Sequence, residues 1–238
     1  MLRVNIKIVI AVAALLMLFF SEISDAATMP NEGVCDVAAD VALGNGDYRS
    51  AIALHRKVLQ SERKNASAHY HLGFAYGMVG RTTDEIDEYR TAISLGLKRW
   101  DVFLNLGLAY FDRHEFESAT AALEAAASLG PEHAETHFNL ALAYERENRL
   151  AEALGEIVAS LVLAPQDLDA ANTDAIICAK MGNFAAARNI WTQLIQTAPD
   201  YAPARTNLAI LNQSCDGACG QSSHPQSTEF LSQLGGAE

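Results

Sequence analysis

Sorted by size and polarity, the side chains fall into three stretches. Ile8 to Phe20 is an unbroken apolar run. From about position 32 to position 213, bulky, tiny and polar positions recur at a constant step. Leu72-Gly73-x-x-Tyr76 returns as Leu106-Gly107-x-x-Tyr110 and as Leu140-Ala141-x-x-Tyr144. From Ser214 onward Ser, Gly and Gln dominate, and the only patterned remnant is Phe230-Leu231-x-x-Leu234. That tail is expected to be disordered or loosely held.

The 34-residue register divides the middle stretch into blocks 32–65, 66–99, 100–133, 134–167 and 168–201, with a half block 202–213. Numbering each block from 1, position 8 carries Ala39, Gly73, Gly107, Ala141, Ala175 and Ala209. Ala51, Ala119, Ala153 and Ala187 stand at position 20, and Ala92, Ala126 and Ser160 at position 27. Bulk alternates with these: Tyr76, Tyr110 and Tyr144 at position 11, then Tyr89, Leu123, Ile157 and Trp191 at position 24. Pro131, Pro165 and Pro199 close successive blocks, while Gly46, Gly80, Asn148 and Gly182 mark mid-block turns. This pattern resembles the tetratricopeptide repeat family over about three quarters of the chain. Each block then holds two helices of about 14 residues, close-packed where small residues meet. The expected fold is all-α, a right-handed superhelix of helical hairpins with five repeats and a half repeat. An atypical first block, with Cys35, Ala38 and Ala42 where bulk is usual, reads as a terminal cap.

Two departures from the pattern stand out. Glu85 replaces the small residue of position 20, and Asp174 replaces the leucine of position 7. A carboxylate in an apolar seam must be paired or protonated. The simpler expectation is that the fifth hairpin is looser and Asp174 reaches solvent.

The leading segment has the layout of an export signal. Arg3 and Lys7 precede the apolar run, and Ser24 and Ala26 follow as small residues at the −3 and −1 positions of a cleavage site. As a helix the run would reach only about 20 Å of the roughly 30 Å hydrocarbon core. Residues 1–26 are therefore expected to be removed, leaving 27–31 as a short linker; the alternative is an uncleaved membrane anchor. Either places the working part outside the cytoplasm, periplasmic or secreted. Cys35 lacks the sequence context for lipid attachment, since Glu32-Gly33-Val34 precedes it.

Composition narrows the function. Half of the 238 residues are apolar, 8% are aromatic, and 17 basic against 29 acidic residues give −12. An acidic chain without a basic cluster does not suit nucleic acid. No Gly-rich phosphate loop, G-x-S-x-G elbow or H-E-x-x-H helix occurs. His69 and His71, like His133 and His137, read as packing or surface residues. No enzyme activity, metal or cofactor is expected.

The family resemblance implies that the first helix of each hairpin lines a concave groove, chiefly through positions 2, 5, 6, 9, 12 and 13. On this chain those are Tyr70, His71, Phe74 and Met78, then Leu104, Asn105, Leu108 and Phe111. Phe138, Asn139 and Leu142 follow, then Asn172, Thr173 and Ile176, with Asn207 in the half repeat. The groove is thus aromatic and aliphatic, as a protein-binding surface commonly is. Asn105, Asn139 and Asn207 share position 6, and the resemblance implies that such a ladder can grip a peptide main chain. The basic residues with which some members clamp a terminal carboxylate are not at positions 2, 5 or 9 here, so a ligand recognised by apolar side chains and main chain is expected. The expected role is a scaffold or adaptor of the cell envelope that binds a peptide or helix of a pilus, secretion or envelope assembly.

Cysteines supply the alternative. Cys35 is too far along the stack to reach Cys215 or Cys219 within the about 7 Å that a disulfide tolerates. Cys178 sits at position 11 as a small core residue. Cys215-Asp-Gly-Ala-Cys219 spans a turn beyond the last helix, and outside the cytoplasm a short-loop disulfide is the expected state. Cys215, Cys219 and His224 could instead hold a soft metal, giving a redox or metal-handling accessory protein.

Overall fold

The computed structural model of the chain describes residues 36–216 and Leu234. Eleven helices and no strand occur among them. They are α1 (Val37–Gly44), α2 (Tyr48–Ser61), α3 (Ala66–Gly77), α4 (Thr82–Ser94), α5 (Trp100–Asp112) and α6 (Phe116–Leu129). After these come α7 (Ala134–Arg146), α8 (Leu150–Leu163), α9 (Leu168–Lys180), α10 (Phe184–Thr197) and α11 (Ala202–Asp216). The export-signal residues 1–26, the linker, Cys35, Cys219 and His224 lie outside the described residues, and no described helix is long and apolar enough to cross a membrane.

Local chemistry sets the helix ends. Asp36, Asp47, Asn65, Asp167 and Asn183 each accept backbone N–H groups of the following first turn, satisfying donors the helix leaves open. Inside every hairpin one residue takes a positive φ: Gly46 at 75°, Gly80 at 74°, His114 at 60°, Asn148 at 60° and Gly182 at 82°. Each stands one full repeat after the last. The residue after each donates its N–H back to the carbonyl at position 11: Asp47 to Ala42, Arg81 to Tyr76, Glu115 to Tyr110, Arg149 to Tyr144 and Asn183 to Cys178, all at 2.8–3.0 Å. This six-to-one bond ends the first helix and turns the chain into the second. His114 is the member of the series that no turn-forming residue type announces.

Successive helices pack in order along the chain. The first helices α1, α3, α5 and α7 also touch their counterparts one hairpin on, more than any second helices do, so they form the inner wall of the stack. The hairpins close on the alternation of tiny and bulky residues. Position 24 is sealed throughout, with Tyr89, Leu123, Ile157 and Trp191 buried, and His55 in the same register at 0% exposure. Opposite them position 8 must be small: a Cβ on Gly73 would lie 2.8 Å from the Tyr89 ring, and one on Gly107 2.6 Å from Leu123 Cγ. Ala209 of α11 is exposed, because no second helix follows it among the described residues.

The two misfit carboxylates find different solutions. Glu85 is half-buried and fits because position 12 is Gly77, where a Cβ would sit 2.6 Å from its Cδ. Burial, with Asp112 nearby, pushes the Glu85 carboxyl up to about 7 against the opposing effect of the Tyr89 hydroxyl. Asp174 does not reach solvent freely as expected. It is half-buried, accepts from the Cys178 thiol at 3.6 Å, and burial raises its pKa.

The C-terminal end also differs from expectation. Helix α11 continues through Cys215 to Asp216, so Cys215 belongs to the last turn of a helix and not to a turn after it. Leu234, placed by sequence in a loosely held tail, is 5% exposed and packs into the cluster that holds Trp191, Leu194, Ala204 and Leu211.

Candidate functional site

The inner wall is built by the first helices, and its chemistry depends on how far each is rotated. Tyr70, Phe74, Leu108, Phe111, Phe138 and Leu142 are half-buried, and Met78 is 50% exposed. Phe74, Leu108 and Phe138 rest against the core on one side and are not sealed from solvent. Together they make an apolar strip along α3, α5 and α7.

Five residues placed in the groove by register, Leu104, Asn172, Thr173, Ile176 and Asn207, are turned away from it. Leu104 is 4% exposed and belongs to the core with Leu123, Leu140 and Tyr144. Ile176 packs beside Trp191, and Thr173 is buried with it on α9. Asn207 is buried because its amide donates to Asn172 Oδ1 at 3.0 Å, the same oxygen that accepts the Trp191 indole N–H at 2.9 Å. The strip therefore closes toward α9 and α11.

The asparagines do not act as one ladder. Asn105 donates to the Tyr70 hydroxyl at 3.2 Å, and that hydroxyl donates to Asp101 Oδ2 at 3.2 Å. Arg99 pairs with both oxygens of Asp101 and lies over the Tyr70 ring. Burial, reinforced by Asp101, raises the Tyr70 hydroxyl to about 12, so it stays a donor. Asn139 instead donates to the Glu135 carbonyl one turn back on its own helix. Asn105 and Asn139 are both half-buried on the wall.

The histidines separate into two kinds. His69 and His137 hold the same position in their blocks, and each places Nδ1 on a glutamate of the second helix and Nε2 on a backbone carbonyl. For His69 the partners are Glu88 at 2.5 Å and Arg63 at 3.1 Å; for His137 they are Glu156 at 2.7 Å and Pro131 at 3.0 Å. These pin the inter-hairpin turn. Burial opposes charge on His69, and the Glu88 carboxylate with the Arg63 carbonyl outweighs it, so its pKa is raised. His133 stacks on Trp100 at 3.6 Å between centroids.

His71, expected to face the groove, instead meets Asp40 of α1 at 2.9 Å. His55 of α2 lies behind, 3.9 Å from the same carboxylate oxygen, its ring 5.3 Å from that of His71. Burial and the neighbouring His71 lower the His55 pKa. Asp40, His55 and His71 are the described residues whose ligand atoms gather closely enough to hold a metal ion. Histidine at repeat position 24, where every other block is aliphatic or aromatic, was the available sign of His55.

A cleft of about 470 Å3 opens elsewhere, between α4, α5 and α6, lined by Arg90, Ile93, Phe103, Leu106, Tyr110 and Ala122 among others. None of the inner-wall residues lines it. Cys178 is buried with a free thiol, which burial and Asp174 raise to about 11.

A superhelical stack of helix pairs with a partly apolar inner face defines the class: a helical-repeat protein, whose fold typically serves non-enzymatic interaction scaffolds. The tetratricopeptide repeat family model matches residues 37–96 and 104–170, and the chain belongs to that family. Among solved structures it is similar to YrrB, described as a TPR protein with an unusual peptide-binding site. The two share 23% identity over 70% of this chain and 86% of that one, with a TM-score of 0.66. It is also similar to MamA (22% identity, 70% and 97% covered, TM-score 0.65). PilF of Pseudomonas aeruginosa matches at 23% identity over 75% and 81%, with a TM-score of 0.61. No curated protein matches the chain in sequence.

Proposed function

We propose that the protein is a non-enzymatic interaction scaffold of the cell envelope that receives a peptide or helix of a partner along α3, α5 and α7. One observation carries the reading: the strip of half-buried Tyr70, Phe74, Leu108, Phe111, Phe138 and Leu142, open to solvent and flanked by Asn105 and Asn139. An open strip suits a chain that lies along it, burying apolar side chains at intervals, better than a small molecule that needs enclosure. Repeat positions 2, 5 and 9 of α3, α5 and α7 carry no basic residue for a terminal carboxylate, so main-chain and apolar contacts supply the recognition. Export by the leading segment brings the scaffold to the envelope, where a pilus, secretion or envelope assembly supplies the partner.

The test is crosslinking capture from an envelope extract with the full chain. Replacing Tyr70, Phe74, Asn105 and Asn139 together by alanine abolishes capture while the circular dichroism of the folded stack is retained. Truncating the tail would also remove Leu234, so the tail thiols are tested by Cys215→Ser with Cys219→Ser, which leaves capture intact. Capture that survives the wall variant and fails in the thiol variant overturns the proposal.

A further inference from the structure

Four buried polar atoms lack a hydrogen-bond partner at a single point of the fold: Asp40 Oδ1, His55 Nδ1, His55 Nε2 and His71 Nδ1. Buried polar atoms are normally paired, because leaving water without a replacement partner is costly. His55 is the sharpest case, fully buried with both ring nitrogens unpaired. His71 Nδ1 and Asp40 Oδ1 are within ion-pair distance at 2.9 Å, yet their alignment is not that of a hydrogen bond.

We propose that Asp40, His55 and His71 bind one divalent transition-metal ion, Zn2+ by the chemistry of the ligands. One atom from each residue lies within 4.8 Å of the others. Tetrahedral zinc with bonds of about 2.0–2.1 Å sets its ligand atoms roughly 3.3 Å apart. The two separations to Asp40 Oδ1, 2.9 Å and 3.9 Å, bracket that spacing, and the third, between the two imidazoles, must come within it from at most 4.8 Å. Two imidazoles exclude Ca2+ and Mg2+, which prefer oxygen, and favour the borderline ions. The Asp40 and His71 side chains are 40% and 26% exposed, which gives the ion a way in and solvent for its fourth position.

The three ligands come from three helices, α1, α2 and α3, at positions 9 and 24 of the first block and position 6 of the second. An ion there ties the first hairpin to the next. That hairpin is the one with Ala38 and Ala42 in place of the usual bulk, and α1 is the shortest described helix of the stack. An ion that binds only the folded arrangement adds its binding free energy to folding. The site thus serves as a metal staple at the N-terminal end of the binding wall, a role beyond that wall's own.

The test uses the full, tag-free chain carrying Cys215→Ser and Cys219→Ser, so that no tail thiol competes. Calorimetric titration with Zn2+ gives one ion per chain, Co2+ gives the visible bands of four-coordinate nitrogen and oxygen ligation, and Zn2+ raises the melting temperature. His71→Ala and Asp40→Asn, both at part-exposed positions, each weaken binding by at least about tenfold, the effect that even outer-sphere changes reach at zinc sites. His137→Gln, which alters a histidine already paired with Glu156, leaves it unchanged. Absence of saturable one-to-one binding by the folded chain overturns the proposal, as does binding indifferent to both His71→Ala and Asp40→Asn.

Discussion

Adding one methyl group to either of two glycines should change stability in opposite directions. Gly107 stands in α5 where its backbone meets α6: a Cβ there would lie 2.6 Å from Leu123 Cγ, 2.9 Å from Leu123 Cδ2 and 3.3 Å from the Ala119 carbonyl oxygen. Ordinary carbon contacts need about 3.5–4.0 Å, so something must move by nearly 1 Å. Leu123 is fully buried and cannot swing aside, and the third contact is backbone, so the helices themselves must part. Gly155 lies inside α8 on the exposed side, with nothing within 4 Å of an added Cβ. Alanine gains about 1 kcal/mol over glycine in a helix interior, while overpacking costs up to about 3 kcal/mol. Gly107→Ala is therefore expected to destabilise by about 2 kcal/mol, and Gly155→Ala to stabilise by about 0.5–1 kcal/mol. At roughly 2–4 °C per kcal/mol for a chain of this size, thermal melts followed by circular dichroism separate the two easily. A neutral or stabilising Gly107→Ala would show that close backbone approach is not what position 8 provides.

Glu85 makes stability depend on pH. Its folded pKa of about 7 stands above the ordinary 4.5, so its contribution is fully present below about pH 4.5 and is lost as pH rises through 7. Glu85→Gln should stabilise at pH 8 by about 1–2 kcal/mol, discounted for partial exposure, and have little effect at pH 4.5; chemical denaturation at both pH values measures this, and equal effects would refute it. His114, held at a φ of 60° without the freedom of glycine, should gain about 1 kcal/mol on His114→Gly, read as a higher denaturation midpoint with unchanged slope.

Leu234 changes how the open end of the stack is understood. A solenoid exposes apolar surface wherever repetition stops, and terminal repeats must cover it. Here one leucine far along the sequence from α11 contributes to that cover. The Phe230-Leu231-x-x-Leu234 remnant therefore includes a residue that packs within the chain itself, which spacing without coordinates could not reveal.

The amino-acid order by itself determined the repeating architecture. A regular alternation of tiny and bulky residues dictates where two helices approach and what fills the space between approaches, and both are local matters of size and period. It also marked four of the five hairpin turns, because glycine and asparagine tolerate the conformation a turn demands, and missed His114, which is held there by the helices on either side. Tertiary structure decided what the first helices show to solvent. Leu104 shares position 5 with Phe138, Ile176 shares position 9 with Phe74 and Leu108, and Thr173 and Asn207 share position 6 with Asn105 and Asn139, yet packing between neighbouring hairpins turns the first-named of each set inward and leaves the others half open. It also gathered Asp40, His55 and His71, which stand on three different helices and whose spacing in the chain follows no helical period. Periodicity fixes a side chain's angle about its own helix axis; the rotation of one helix against the next is settled only when the interfaces close.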